Sequence, residues 1–394
     1  MTLREKAIVT SLPEGIPDLL ATAESIIAKF VLPHAESVDR DCMWPSQGMQ
    51  ALAAAGLMGL QVPKNLGGHG QGLLALALMT EAIGKACPST AMCYGMHCVA
   101  TAVIAAKATR YQRDEYLREI AKGKHITTLA LSESGSGAHL YHPDTRLTSE
   151  GINYVVNGIK QFVTNGAHAD SYVISTVSPG EIDETGVFSC LIVDRNTAGM
   201  EWLKPWNGFG MRGNSSRGLV LRDVKLPKAN LLGEVGDQDW YIFEIIAPFF
   251  LMAMSGTYLG IAQGAVDTVL EHLKTRRYTS MDKPLSSHES LQAKAGMMWT
   301  SLQKTRHLIY EAARLGDSGH ESALHHLLAS KIDAAETAVN LANEAMTVCG
   351  GLAYRENSRV AQLLRDARAA HIMAPTTDML RVWLGRSLLG LPLL

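Results

Sequence analysis

The chain has 394 residues, of which 47% are apolar and 19% charged, with a net charge of −2. That length suits two or three domains with a sizeable core. No run of like charge occurs, which excludes nucleic acid and an anionic membrane surface as partners.

The opening segment has no continuous apolar core and no small-residue cleavage site, so it does not read as a signal peptide. Residues 17–123 are rich in Ala and Leu at helical spacing, and Gly56–Gly72 interrupts them with loop-forming residues. From about His125 to Val235, Thr, Val, Ile and Tyr alternate with polar residues between Gly, Asn, Pro and Asp, as in Ser171–Val177 and Phe188–Asp194. This predicts an antiparallel barrel or sandwich of short strands. Long helices are predicted from Trp240 onward, with Asp237 or Asp239 capping the first and Ser286 opening another. The uncharged stretch Ile245–Val266 is long enough to span a membrane, but it lacks an aromatic or basic belt on both sides. A buried helix is predicted there, and no membrane span. The fold class is α+β, mostly α: a helical N-terminal domain over 1–124, an antiparallel β middle domain over 125–236, and a C-terminal helical bundle over 237–394.

None of the six cysteines forms a CxxC pair or stands at metal-ligand spacing. They read as reduced, mostly buried thiols of a cytoplasmic protein without a metal site. No strand leads through GxGxxG into a helix, and no P-loop, HExxH or GxSxG occurs, so a Rossmann site and the common hydrolase sites are not expected.

Several ordered motifs carry a family resemblance. Ala130–His139 (ALSESGSGAH) resembles the TEPGSGSD flavin loop of the acyl-CoA dehydrogenase family, and Gly158–Gly166 (GIKQFVTNG) resembles its GxKxxITNG hairpin. Gly210–Arg217, Leu221–Pro227, Gly260–Gln263, Cys349–Gly351 and Leu364–Arg368 follow in the family's order. The resemblance implies a four-helix C-terminal bundle, a homotetramer or homodimer, and FAD between the β domain and the bundle, partly held by a neighbouring subunit. By this resemblance Leu131, Ser132, Gly137, Ala138, Phe162 and Thr164 contact the flavin. Phe162 stands where the family often has Trp, and Thr164 lies near flavin N5. Gly135 and Gly137 allow close backbone approach. Arg276, Arg277, Thr347, Gly350, Gly351, Thr376 and Asp378 are the expected contacts to the rest of the cofactor.

The same resemblance exposes a gap. The family's Glu base stands in a Tyr-Glu-Gly-Thr motif, where this chain reads Met373-Ala374-Pro375-Thr376, and the alternative position falls on Phe250. Neither accepts a proton. Asp378 is one substitute, although the first turn of a helix lowers carboxylate basicity. Glu244 lies about 120° around the helix from Phe250. Among the histidines, His97 is the strongest candidate because its helix usually lines the acyl pocket; His139, His142 and His371 follow. His97, Phe250 and Ala374 are the expected substrate contacts, with Phe249 and Phe250 narrowing the tunnel toward short, branched or cyclic acyl thioesters. The leading expectation is variant chemistry on an acyl thioester, CoA-borne or otherwise, including flavin-dependent oxygenation with O2 and a flavin reductase. The alternatives are an α,β-dehydrogenase with a substitute base and an electron-transferring flavoprotein, and a non-catalytic flavin or acyl-thioester binding protein.

Overall fold

Helices apolar on every face belong inside a protein, and two such segments set the middle of this one. In the computed structural model, which describes residues 12–137, 139, 141–178, 187–279 and 283–393, a first helix α1 (Ile16–Ile26) precedes α2 (Leu73–Ala86) and α3 (Pro88–Ala106), both buried along most of their length. The break between α2 and α3 is local chemistry. Cys87 precedes a proline and adopts an extended backbone, and Pro88 then opens α3 at its first position.

The C-terminal helices are α4 (Ala247–Thr275), α5 (Glu289–Asp317), α6 (Ala323–Cys349), α7 (Arg359–Ile372) and α8 (Thr377–Leu388). Helix α4 packs against α2, α3, α5, α6 and α7, and α8 lies on α6. Among the described residues two helical stretches, Pro88–Ala106 and Gln238–Thr275, are long and apolar enough to cross a membrane, but their apolar windows are 89% and 78% buried inside the protein. They are core helices, as predicted for Ile245–Val266.

Between the helical regions lies an eight-stranded sheet. Its strands are β1 (Thr127–Ala130), β2 (Arg146–Glu150), β3 (Asn153–Val163), β4 (Ser171–Ser178), β5 (Val187–Asp194), β6 (Met200–Trp202), β7 (Arg217–Pro227) and β8 (Leu231–Leu232). They run in the order β6-β7-β3-β2-β4-β5-β8, with β1 beside β4. The sheet is mixed rather than purely antiparallel. β1 pairs parallel with β4 through Thr127↔Ser171, and β2 meets β4 in parallel at Arg146↔Val177. The alternation of side chains predicts strands but carries no direction. Direction is set here by the connection from β1 through residues 131–145, which returns the chain to β2 running the same way.

Two predicted caps differ from the structure. Asp237 does stand at the start of a short helix, but its carboxylate accepts from Glu234 N–H at 2.8 Å and from Lys107 Nζ at 2.8 Å. Helix α5 starts one turn later than Ser286, at Glu289, with His288 at its cap and no side-chain cap bond. The six cysteines are free, and five are buried.

Candidate active site

The β3 hairpin positions the first wall of a cleft. Beyond Lys160 the pairing of β3 with β7 slips, and Gln161 N–H turns to Ser132 C=O at 2.7 Å. The slip puts Phe162 at φ 53° and throws its ring outward. Thr164 follows, buried, its Oγ1 3.0 Å from Ser216 Oγ. Gly137, at φ 53°, opens the neighbouring loop into the same space.

The opposite wall comes from the bundle. The connection between α7 and α8 presents Met373, Ala374, Pro375 and Thr376, and α4 presents Phe250. Gly210 lets the 206–211 loop close onto α7, since a Cβ there would stand 2.3 Å from Arg365 O. Asp366, fully buried, completes that contact by accepting Met211 N–H at 2.7 Å, and burial pushes its pKa up to about 7. The enclosed volume is about 570 Å³, within the range of small-molecule sites.

The lining is chiefly apolar, and some of it is unusually bare. Phe162 is 64% exposed, Phe209 71% and Ile372 72%, all facing one cleft. Large side chains left bare in a concavity mark a surface that a ligand or partner covers. The cleft's cations are Arg365 and Arg368. Arg365 makes a two-pronged bond to Asp39 at 3.0 and 2.5 Å. Arg368 has no hydrogen bond or ion pair among the described residues and is free to meet an anionic group.

Proton acceptors are scarce. Glu133 is the one carboxylate among the described lining residues. It is nearly buried and accepts from Asp144 N–H at 2.6 Å, Thr145 N–H at 3.2 Å, Thr145 Oγ1 at 2.7 Å and Lys160 Nζ. A carboxylate with both oxygens so bonded holds a loop together.

The histidine and aspartate candidates stand elsewhere. His97 is fully buried in α3, with Nδ1 accepting Thr127 N–H at 3.1 Å and Nε2 3.0 Å from Met58 C=O. With Nδ1 an acceptor, Nε2 carries the proton and donates. Burial holds its pKa down at about 4. His97 therefore ties α3 to β1 and has no free ring nitrogen; its neighbour Met96 lines the cleft instead. Asp378 is 91% exposed and pairs with Arg381 at 2.8 Å. His139 Nδ1 lies 2.7 Å from Tyr141 OH, His142 packs edge-on against the Tyr141 ring, and neither lines the cleft, nor does His371. Glu244 is exposed, as its place on the helix predicts, whereas Phe249, expected to narrow the tunnel, packs against the core outside the cleft because it lies about 100° around the helix from Phe250.

Of the predicted cofactor contacts, Leu131, Ser132, Gly137, Phe162, Thr164 and Thr376 come together in the cleft, as do Phe250 and Ala374. Ala138 lies outside the described residues. Thr347, Gly350 and Gly351 sit exposed at the C-terminal end of α6, and Arg276 and Arg277 are exposed beyond α4. Asp378 is exposed on α8, and the structure does not bring these six to the cleft of their own chain. Sequence reasoning missed Trp206, Phe209, Phe243 and Trp383. Trp383 had a signal: with Leu380 it continues the inward stripe of α8 that begins at Thr377.

Fold and cleft together define a helix–sheet–helix protein with a chiefly apolar, ligand-sized cleft between the sheet and the C-terminal helices. The chain belongs to the acyl-CoA dehydrogenase family: the family's N-terminal domain matches residues 16–124, its middle domain 128–224 and its C-terminal domain 252–389. It is 30% identical to a probable acyl-CoA dehydrogenase, YngJ, of Bacillus subtilis, over 92% of this chain and 94% of that one. It is 28% identical to the cyclohex-1-ene-1-carbonyl-CoA dehydrogenase of Geobacter metallireducens, over 94% and 97%. The structure of butyryl-CoA dehydrogenase from Megasphaera elsdenii superimposes with a TM-score of 0.90 at 25% identity, covering 96% of this chain and 99% of that one.

Proposed function

We propose that this chain is an FAD-dependent oxidoreductase acting on a short, branched or cyclic acyl thioester, by chemistry that does not use the family's Glu base. The observation carrying this is the cleft's chemistry. Its bare apolar surface fits a flavin ring. The two base positions are Ala374 and Phe250, and Glu133 is fully engaged.

When bound, the flavin supplies an acceptor for a hydride or an electron pair. The protein's own groups orient it. Phe162 offers a face to the ring, Ser132 and Thr164 offer hydroxyls to its polar edge, and Gly137 admits close backbone approach. Phe250 limits the acyl group's length, and Arg368 offers charge to a phosphate or carboxylate. The exposed set of Arg276, Arg277, Thr347, Gly350 and Gly351 suits a cofactor held by a second copy, which supports a homo-oligomer. The cyclohexene-carbonyl relative supports a cyclic acyl group.

The test is to load the protein with FAD and mix it anaerobically with butyryl-, isobutyryl- and cyclohexanecarbonyl-CoA. No flavin bleaching, with acyl-CoA-dependent oxygen uptake once a reductant and air are admitted, supports flavin-dependent oxygenation. Bleaching without a reductase overturns the base-free reading in favour of dehydrogenation coupled to an electron-transferring flavoprotein. Protein that takes up no FAD ends the proposal.

A further inference from the structure

Lys331 is a fully buried lysine in the middle of α6. Its Nζ donates to Ala370 C=O at 2.7 Å and to Pro375 C=O at 3.2 Å. No carboxylate pairs with it among the described residues; the nearby Glu336 is taken by Arg381. The ammonium instead meets the last turn of α7, whose carbonyls lack helical partners and carry the negative end of the helix dipole. An unpaired buried ammonium is costly where an apolar side chain would pack as well, so its position calls for a use. The two carbonyls it joins lie on either side of Met373 and Ala374, which line the cleft with Pro375 and Thr376. From the other side, Tyr258 OH on α4 donates to Met373 Sδ at 3.2 Å.

We infer that Lys331 is a positioning residue: it fixes the cleft-facing turn 373–376 against the ligand by clamping the end of α7 to Pro375. The turn stands where the family carries its base, so its placement decides what that wall offers. The structural part of this inference stands by itself, and the ligand part rests on the proposed flavin site.

The experiment uses full-length protein, Lys331→Met, which keeps the stem and loses both donors, and Lys331→Arg. Amide hydrogen exchange is followed over 373–377 and, as a control, over the middle of α5. FAD affinity is measured by the flavin's visible spectrum. In Lys331→Met the turn's exchange rises about tenfold while α5 is unchanged, the FAD dissociation constant rises, and Lys331→Arg recovers both. Should the variants fail to fold, wild-type protein titrated from about pH 7 to 9 replaces them, because burial lowers the Lys331 pKa to about 8. The charged and titratable groups around it are Arg368, Arg381, Glu336, His371 and Tyr258; burial lowers the pKa of His371 and raises that of Tyr258, which moves both away from that window. Loss of turn protection across that range supports the inference. Unchanged exchange in folded Lys331→Met, or unchanged protection across the titration, overturns it. If wild type binds no FAD, the proposed function fails while the exchange data still decide the clamp. If FAD binds equally to wild type and Lys331→Met, the clamp's role toward the ligand fails while the proposed function stands.

Discussion

Replacing His97 with Phe keeps the ring volume and removes both of its hydrogen bonds. Thr127 N–H and Met58 C=O, in two fully buried residues, lose their partner together. Each unsatisfied buried group costs about 1–3 kcal/mol, so the pair costs roughly 4 kcal/mol. With an unfolding entropy of about 2.1 cal/mol/K per residue, that lowers Tm by roughly 5 °C for a chain of this length. His97→Gln, which can donate to one carbonyl, loses about half as much. The pH dependence has a definite sign. The folded pKa of about 4 lies below the unfolded value near 6.5. The unfolded chain binds more protons between those values, so this contribution is complete above pH ~6.5 and falls away toward pH ~4, by up to roughly 3 kcal/mol. Calorimetry on FAD-loaded protein reads both effects, and turnover per folded molecule stays near wild type. A His97→Phe protein with unchanged Tm and turnover down by more than about a hundredfold would refute this reasoning and restore His97 as a base.

Asp378→Asn changes stability by less than about 0.5 kcal/mol, because its pair with Arg381 is solvent-exposed, and leaves turnover unchanged; a large rate loss would reinstate it as the substitute base. Glu133→Gln leaves buried Lys160 without its counter-charge and costs roughly 3–5 kcal/mol, read by urea denaturation together with loss of bound FAD. Asp366→Asn removes a carboxyl whose pKa burial raises to about 7, so wild-type stability falls as pH rises from ~4 through ~7, and the variant's curve is flatter over that range. Phe250→Ala costs ~3 kcal/mol and lets octanoyl-CoA bind, which a competition assay against butyryl-CoA detects.

Much of this molecule could be read before any coordinates. The strands around Tyr154, Ile174, Leu191 and Val220 stand where Thr, Val, Ile and Tyr cluster between turn residues, and α2 and α3 follow from Ala and Leu at helical spacing. The cleft residues that were found, Ser132, Gly137, Phe162, Thr164 and Ala374, came from motifs that resemble the family's. Their turn chemistry alone reads as ordinary Gly, Ser and Asn-Gly turns. Phe209, Phe243 and Trp206 reach the cleft only because distant segments converge, and nothing within their own stretches records that. His97 shows the limit from the other direction. Its helix is correct, but the backbone of β1 crossing the ring is a tertiary fact, and it turns a candidate base into a tie. Lys331 reads as one more helix lysine until α7 ends against it.

The decisive property is whether any group of this protein can lift the proton next to a thioester carbonyl. Deuterium exchange at the α-carbon of butyryl-CoA, followed by NMR in heavy water with FAD-loaded wild type and Ala374→Glu under anaerobic conditions, asks this directly. Wild type should exchange no faster than buffer, while the variant, with a carboxylate restored to the turn, should exchange and bleach its flavin. Rapid exchange catalysed by the wild-type protein would contradict the account.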